Sequence, residues 1–231
     1  MVQAEKQRLY LSRRAAFFGV QNGADRATLL SANHLVAPLA KALGSSQECW
    51  TFQTVLGSDA TKARLTQLLG GNETPALLFT ASHGLGFDFN DPDQLTRQGA
   101  LVCQEWPGPG HGISPDWYFA ADDVSDNARL LGLITFHFAC FGAGTPRYDE
   151  FAHLRQGARE RAEIAPVSFV ANLPKRLLSH PNGGALAVIG HVERAWGTSF
   201  VWEQAGAQLT VFESAAAASE GASSWLRHGV F

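Results

Sequence analysis

Leu130–Pro146 reads LLGLITFHFACFGAGTP, and the rest of the chain is interpreted outward from it. An apolar, aromatic-rich run of strand length stops at Cys140 and breaks into Phe141-Gly142-Ala143-Gly144. Thr145-Pro146 then opens a polar stretch with helical character. A continuous apolar run of this length is the pattern of a strand buried on both faces of a parallel sheet. Ligands in open α/β sheets bind at the carboxyl ends of strands, and glycines there let backbone approach a substrate closely. The stretch therefore delivers one thiol to the kind of place where chemistry is done. A lone buried cysteine is more often a small hydrophobe than a nucleophile. It needs a base.

Two further runs share the strand pattern. Pro75–Ser82 (PALLFTAS) ends at His83-Gly84-Leu85-Gly86, and Gly184–Val192 (GALAVIGHV) ends at Glu193-Arg194-Ala195-Trp196. Cys49–Leu56 alternates and is rich in β-formers. Gly99–Trp106 and Trp117–Ala121 read as shorter strands, and Ala15–Val20 as an edge strand or a packed loop. Helical spacing runs over Leu29–Leu43, with Gly44 as its stop, and over Lys62–Leu69, capped by Asp59 or Thr61 and ended by Gly70-Gly71. An amphipathic helix is expected over Arg147–Ile164, a strand turning into a short helix over Val167–Leu178, and helices over Trp202–Phe212 and the small-residue stretch Ser214–Ser224. Strands alternating with helices predict a three-layer α/β fold: a mostly parallel sheet flanked by helices, in one domain spanning residues 1–231.

Composition narrows the function classes. The 231 residues are 45% hydrophobic and 17% charged, with a net charge of −3, which suits a globular core and gives no basic surface for nucleic acid. The three cysteines, Cys49, Cys103 and Cys140, show no CxxC, which fits free thiols in a reducing, cytoplasmic setting. No run reaches the about 18 apolar residues of a membrane span, and Met1–Arg14 has no signal-like apolar core. The chain can equally be a piece of a longer protein.

His83 and Cys140 both end buried strands and both are followed by glycine, Gly84 directly and Gly142 after Phe141. If the strands are parallel neighbours, the two side chains share one rim. An imidazole that takes the thiol proton is what a cysteine nucleophile requires. The N–H groups of Gly84 and Cys140 are candidate oxyanion donors. An activated thiol is expected to alkylate ahead of Cys49 and Cys103.

An apolar run into Ser82-His83-Gly84, followed by an apolar run into Ala139-Cys140-Phe141-Gly142, resembles the two-block pattern of the caspase-like cysteine peptidases. That clan takes in caspases, gingipains, legumain, clostripain, separase and the bacterial CHAT proteases. PALLFTASHG, FHFACFGAGTP and GGALAVIGHVERAWGTSF look most like bacterial gingipain-like or CHAT-like domains, over about Thr74–Phe200. The resemblance implies a caspase-like fold and a cysteine endopeptidase acting on protein or peptide substrates through a thioester acyl-enzyme. It implies Cys140 as nucleophile and His83 as general base and acid, with Gly84 and Cys140 amides at the oxyanion, and neither cofactor nor metal. It also leaves open a scaffold, or a domain switched on by a regulatory partner or an attached sensor domain.

Two features depart from relatives with known preferences. Arg-specific members often carry Asp two residues before the nucleophile and caspases carry Gln, whereas this chain has Phe138. Where clan members build an S1 wall, this chain has Glu193, Arg194 and Trp196. Glu193 would accept a basic P1 side chain and Arg194 an acidic one, with Trp196 lining the pocket; equally, the three form an ion-paired rim with a packed Trp. Asp122 and Asp123 either face the cleft or cap a turn. A metal site among His83, His111, His137, His153 and Cys103 lacks any HExxH or paired CxxC. Neither a GxSxG elbow nor a P-loop occurs.

Overall fold

The computed structural model describes residues 12–46, 49–151 and 161–200. Its centre is a five-stranded, all-parallel sheet of β1 (Arg14–Gly19), β2 (Thr51–Leu56), β3 (Leu77–Ala81), β6 (Ile134–Phe138) and β9 (Ala187–Gly190), in the order β2-β1-β3-β6-β9. Two small antiparallel pairs lie outside it: β4 (Leu101–Val102) with β5 (Tyr118–Phe119), and β7 (Gly144–Thr145) with β8 (Phe169–Val170). Alternate residues of each strand feed opposite faces. Ala16, Phe18, Leu78, Leu133 and Ala139 join one core with Leu65 and Leu68 of α3 (Lys62–Leu68) and Leu173 and Leu177 of α5 (Asn172–Leu178). Ala15, Phe17 and Ala81 join the other with Val36, Ala40 and Leu43. Those last residues belong to a helical run of α1 (Arg26–Ser31), one π-helical turn (Ala32–Val36) and α2 (Ala37–Ser46). α4 (Gln94–Arg97) is a single turn ahead of β4. This is the three-layer α/β arrangement expected from the alternation of strands and helices.

Several local expectations change. β1 is an interior strand, paired with both β2 and β3, because five of its six residues are buried. β9 is half exposed, with Ile189 at 41%; an apolar run alone does not tell an interior strand from an edge. Gly99–Trp106 keeps only two strand residues, which pair with β5 rather than the main sheet. Gly44 does not stop its helix, which runs on to Ser46. Thr61 caps α3, its side chain accepting from Arg64 N–H.

A continuous helix over Arg147–Ile164 is excluded by its ends. Ile164 N–H donates to Arg147 C=O at 2.8 Å and Tyr148 pairs with Glu163, whereas such a helix would hold its ends about 25 Å apart. Residues 152–160 of that segment lie outside the described ones, as do the helices expected over Trp202–Phe212 and Ser214–Ser224.

Candidate active site

β3 and β6 pair with Ala81 opposite Phe138, and Ser82 N–H carries the ladder on to Phe138 C=O at 3.2 Å. His83 and Cys140, each two residues beyond that pair, therefore leave the sheet at matched positions on one rim. Gly84 is required by a close approach. A Cβ built there would lie 1.8 Å from the Cys140 carbonyl oxygen, and one on Gly99 (φ +78°) would lie 2.1 Å from that of Phe141. The peptide groups after Cys140 are thus gripped between two glycines, of which sequence reasoning singled out only the first. Among the described residues, neither Gly84 N–H nor Cys140 N–H donates to an acceptor on another residue.

The imidazole has a partner that the sequence did not announce. His83 Nε2 lies 2.8 Å from Asp25 Oδ2. Asp25 is 8% exposed and caps α1, the same oxygen accepting Thr28 N–H at 2.9 Å. Burial by itself would raise the Asp25 carboxyl. Hydrogen bonds from Thr28 and the nearby His83 outweigh it and hold the group below its ordinary value. An ionised carboxylate only accepts, so Nε2 carries a hydrogen, and in the neutral imidazole Nδ1 is the nitrogen left with the lone pair. The turn bearing Asp25 is tied down by fully buried Asn22, whose Nδ2 donates to Cys103 C=O at 2.9 Å and Trp106 C=O at 3.0 Å. The Trp106 ring stands perpendicular to His83 with centroids 5.5 Å apart.

The thiol is engaged elsewhere. Ala195 N–H donates to Cys140 Sγ at 3.4 Å, and Sγ lies 3.7 Å from Ala195 C=O. No hydrogen bond joins Cys140 to His83 among the described residues. Burial pushes the thiol up from its ordinary value, and the Ala195 N–H and the Arg194 charge offset this only in part. Buried Cys103 is pushed up further still by desolvation, while Cys49 is exposed. In this conformation Cys140 is a protonated thiol, and its expected lead in alkylation does not follow.

Of the two readings of the rim after β9, the geometry matches the ion-paired one. Glu193 is 1% exposed, Oε1 accepting from Arg194 at 2.8 Å and Oε2 from Glu150 N–H at 3.0 Å. Burial raises its carboxyl above the ordinary value, and Asp149 adds to this. Arg194 also reaches both oxygens of fully buried Asp149, at 2.8 and 3.3 Å. Trp196 is 40% exposed and meets Phe151 edge to face at 5.5 Å. Asp123 caps its own turn, accepting Ala120 N–H at 2.8 Å, and pairs with Lys62.

His137 is fully buried, with neither ring nitrogen hydrogen-bonded among the described residues. His153 lies outside them. No three His, Cys, Asp or Glu side chains converge as a metal-binding group among the described residues. No helix there is long and apolar enough to cross a membrane.

Asp25 was hidden because the contact spans 58 residues of sequence. Asp25-x-x-Thr28 ahead of an apolar run is a capping pattern, and that much was available. No family model, curated protein or solved structure matches the chain.

Proposed function

We propose that the chain is a cysteine endopeptidase of the caspase-like kind, with Cys140 as nucleophile and His83 as general base. One observation carries the reading. Adjacent parallel strands in matched register deliver a thiol and an imidazole to one rim, and a buried carboxylate fixes which nitrogen of the imidazole is basic.

In the reaction, His83 Nδ1 takes the Sγ proton and the thiolate attacks the scissile carbonyl carbon. The carbonyl oxygen becomes an oxyanion, received by the N–H groups of Gly84 and Cys140. The His83 imidazolium gives its proton to the leaving amine as the C–N bond breaks, leaving a thioester on Cys140. Water, deprotonated by His83, attacks the thioester, and the acid product leaves as Sγ regains its proton. Asp25 is a positioning residue: it holds the ring in the productive tautomer and favours the imidazolium that forms twice per cycle. Phe138 and the paired state of Glu193 and Arg194 leave P1 preference to be measured, with half-exposed Trp196 available as a pocket wall. The chain acts in the cytoplasm, without cofactor or metal, on protein or peptide.

The runner-up is a caspase-like module that rests inactive until a partner or sensor domain rearranges it. It is favoured by the contact of Cys140 with Ala195 in place of His83. The test is incubation with a diverse peptide mixture beside Cys140→Ala, with new termini mapped by mass spectrometry. Cuts that share a P1 residue and vanish in the variant are expected. Identical termini from both proteins would remove the peptidase reading for the chain acting alone.

A further inference from the structure

We propose that residues 193–197 form an autoinhibitory latch on Cys140, held shut by the ion-pair staple Asp149–Arg194–Glu193, which must release before the thiol can meet His83. The proposal rests on the peptidase reading for what the latch withholds.

The first support is the occupancy of the thiol. The backbone of one residue, Ala195, both donates its N–H to Sγ and accepts from it at its C=O, an arrangement only a protonated thiol satisfies. Attack requires the thiolate, and a thiolate facing the Ala195 carbonyl would be repelled. Productive pairing therefore needs the Ala195 backbone to move away from Sγ.

The second is backbone held in a sparsely populated region. Phe141 (φ +58°) and Glu193 (φ +85°) are two of the three non-glycine left-handed residues among those described. They are bonded to each other, Phe141 N–H donating to Glu193 C=O, on either side of the thiol's contact. Such residues persist only where their surroundings hold them, and they cluster at switches.

The third is the clamp itself. Asp149 and Glu193 are buried carboxylates that share one guanidinium, and Glu193 also accepts Glu150 N–H. Without the guanidinium, one carboxylate can take a proton and relieve the repulsion, but the fork that ties residues 193 and 194 to Asp149 is lost, and the loop is freed to open. The latch also leans on the base's support: a Cβ on Gly197 would sit 3.4 Å from Leu30 of α1, the helix capped by Asp25. Movement of residues 193–197 would be felt where His83 is held.

The test reads thiol reactivity in the full chain, with iodoacetamide and no peptide. Each cysteine is followed separately by mass spectrometry in wild type, Arg194→Gln and Arg194→Lys. In wild type, Cys140 is expected to react more slowly than exposed Cys49, with Cys103 unlabelled. In Arg194→Gln, Cys140 should react about tenfold faster or more, the scale of losing one charge-assisted hydrogen bond, while Cys103 stays unlabelled. Arg194→Lys, which keeps the charge but not the fork, should fall between.

A wild-type Cys140 as fast as Cys49 overturns the latch. So does an unchanged Cys140 rate in Arg194→Gln with Cys103 still protected. Labelling of Cys103 marks unfolding, and the same criterion then applies to Arg194→Lys. The peptidase reading is judged by Cys140-dependent cuts, so either idea can fail without the other.

Discussion

Asp25 caps a helix and orients an imidazole through the same carboxylate oxygen, and one substitution separates the two roles. Asn caps helices about as well as Asp, but it carries no charge to favour an imidazolium. Asp25→Asn is therefore expected to keep its melting temperature within a few degrees while kcat/KM for Cys140-dependent cleavage falls roughly a hundredfold or more. A large loss of stability with kcat/KM intact would make Asp25 a cap only. Gly84 makes the complementary case for backbone. Its Cβ position lies 1.8 Å from a main-chain oxygen that no rotamer can move. Gly84→Ala should cost about 3 kcal/mol or more, read from the urea midpoint. Gly112→Ala, with nothing within 4 Å, should stay within about 0.5 kcal/mol.

At the scale of elements, β6 carries both the candidate nucleophile's approach and an acid-sensitive residue. His137 lies in its interior, and burial lowers its ring to about 4. The unfolded chain, with an ordinary imidazole near 6.5, binds the proton more readily than the folded one. Stability from this residue is thus fully present above about pH 6.5 and is lost as pH falls toward 4, by about 3 kcal/mol. Urea midpoints from pH 7.5 to 4 should show this fall, and His137→Leu should remove that share of it. A parallel fall in the variant would assign the loss to other groups. β6 itself was legible because its continuous apolar run stops at Cys140 and breaks into a glycine-rich loop. The segment after Arg147 was not, since amphipathic spacing is equally available to two stretches that pair antiparallel, as Tyr148 and Glu163 do.

At the scale of the molecule, the layer order was legible and the strand order was not. Apolar runs reveal that strands are buried, but adjacency is decided by which faces meet, and Ala15–Val20 gave no sign that it would lie between β2 and β3. The same gap hid Asp25, whose role exists only once its turn is carried to the end of β3. The two motifs and every nucleophile-side residue fall in the stretch Thr74–Phe200, which by sequence alone reads as the functional unit. The packing argues otherwise. β1 is bonded on both sides, and its Phe17 and Phe18 are each at most 1% exposed, one in each core. Removing it uncovers the edge of β3 and opens both layers at once, beyond what a domain's margin of about 5–15 kcal/mol can absorb. A chain shortened to begin at Gln47 is expected to lose cooperative unfolding and amide chemical-shift dispersion although every motif residue is retained. A sharp thermal transition in that fragment would show that β2 or another strand closes the gap. It would also move the weight of the fold away from β1, leaving His83 to be oriented by something other than Asp25.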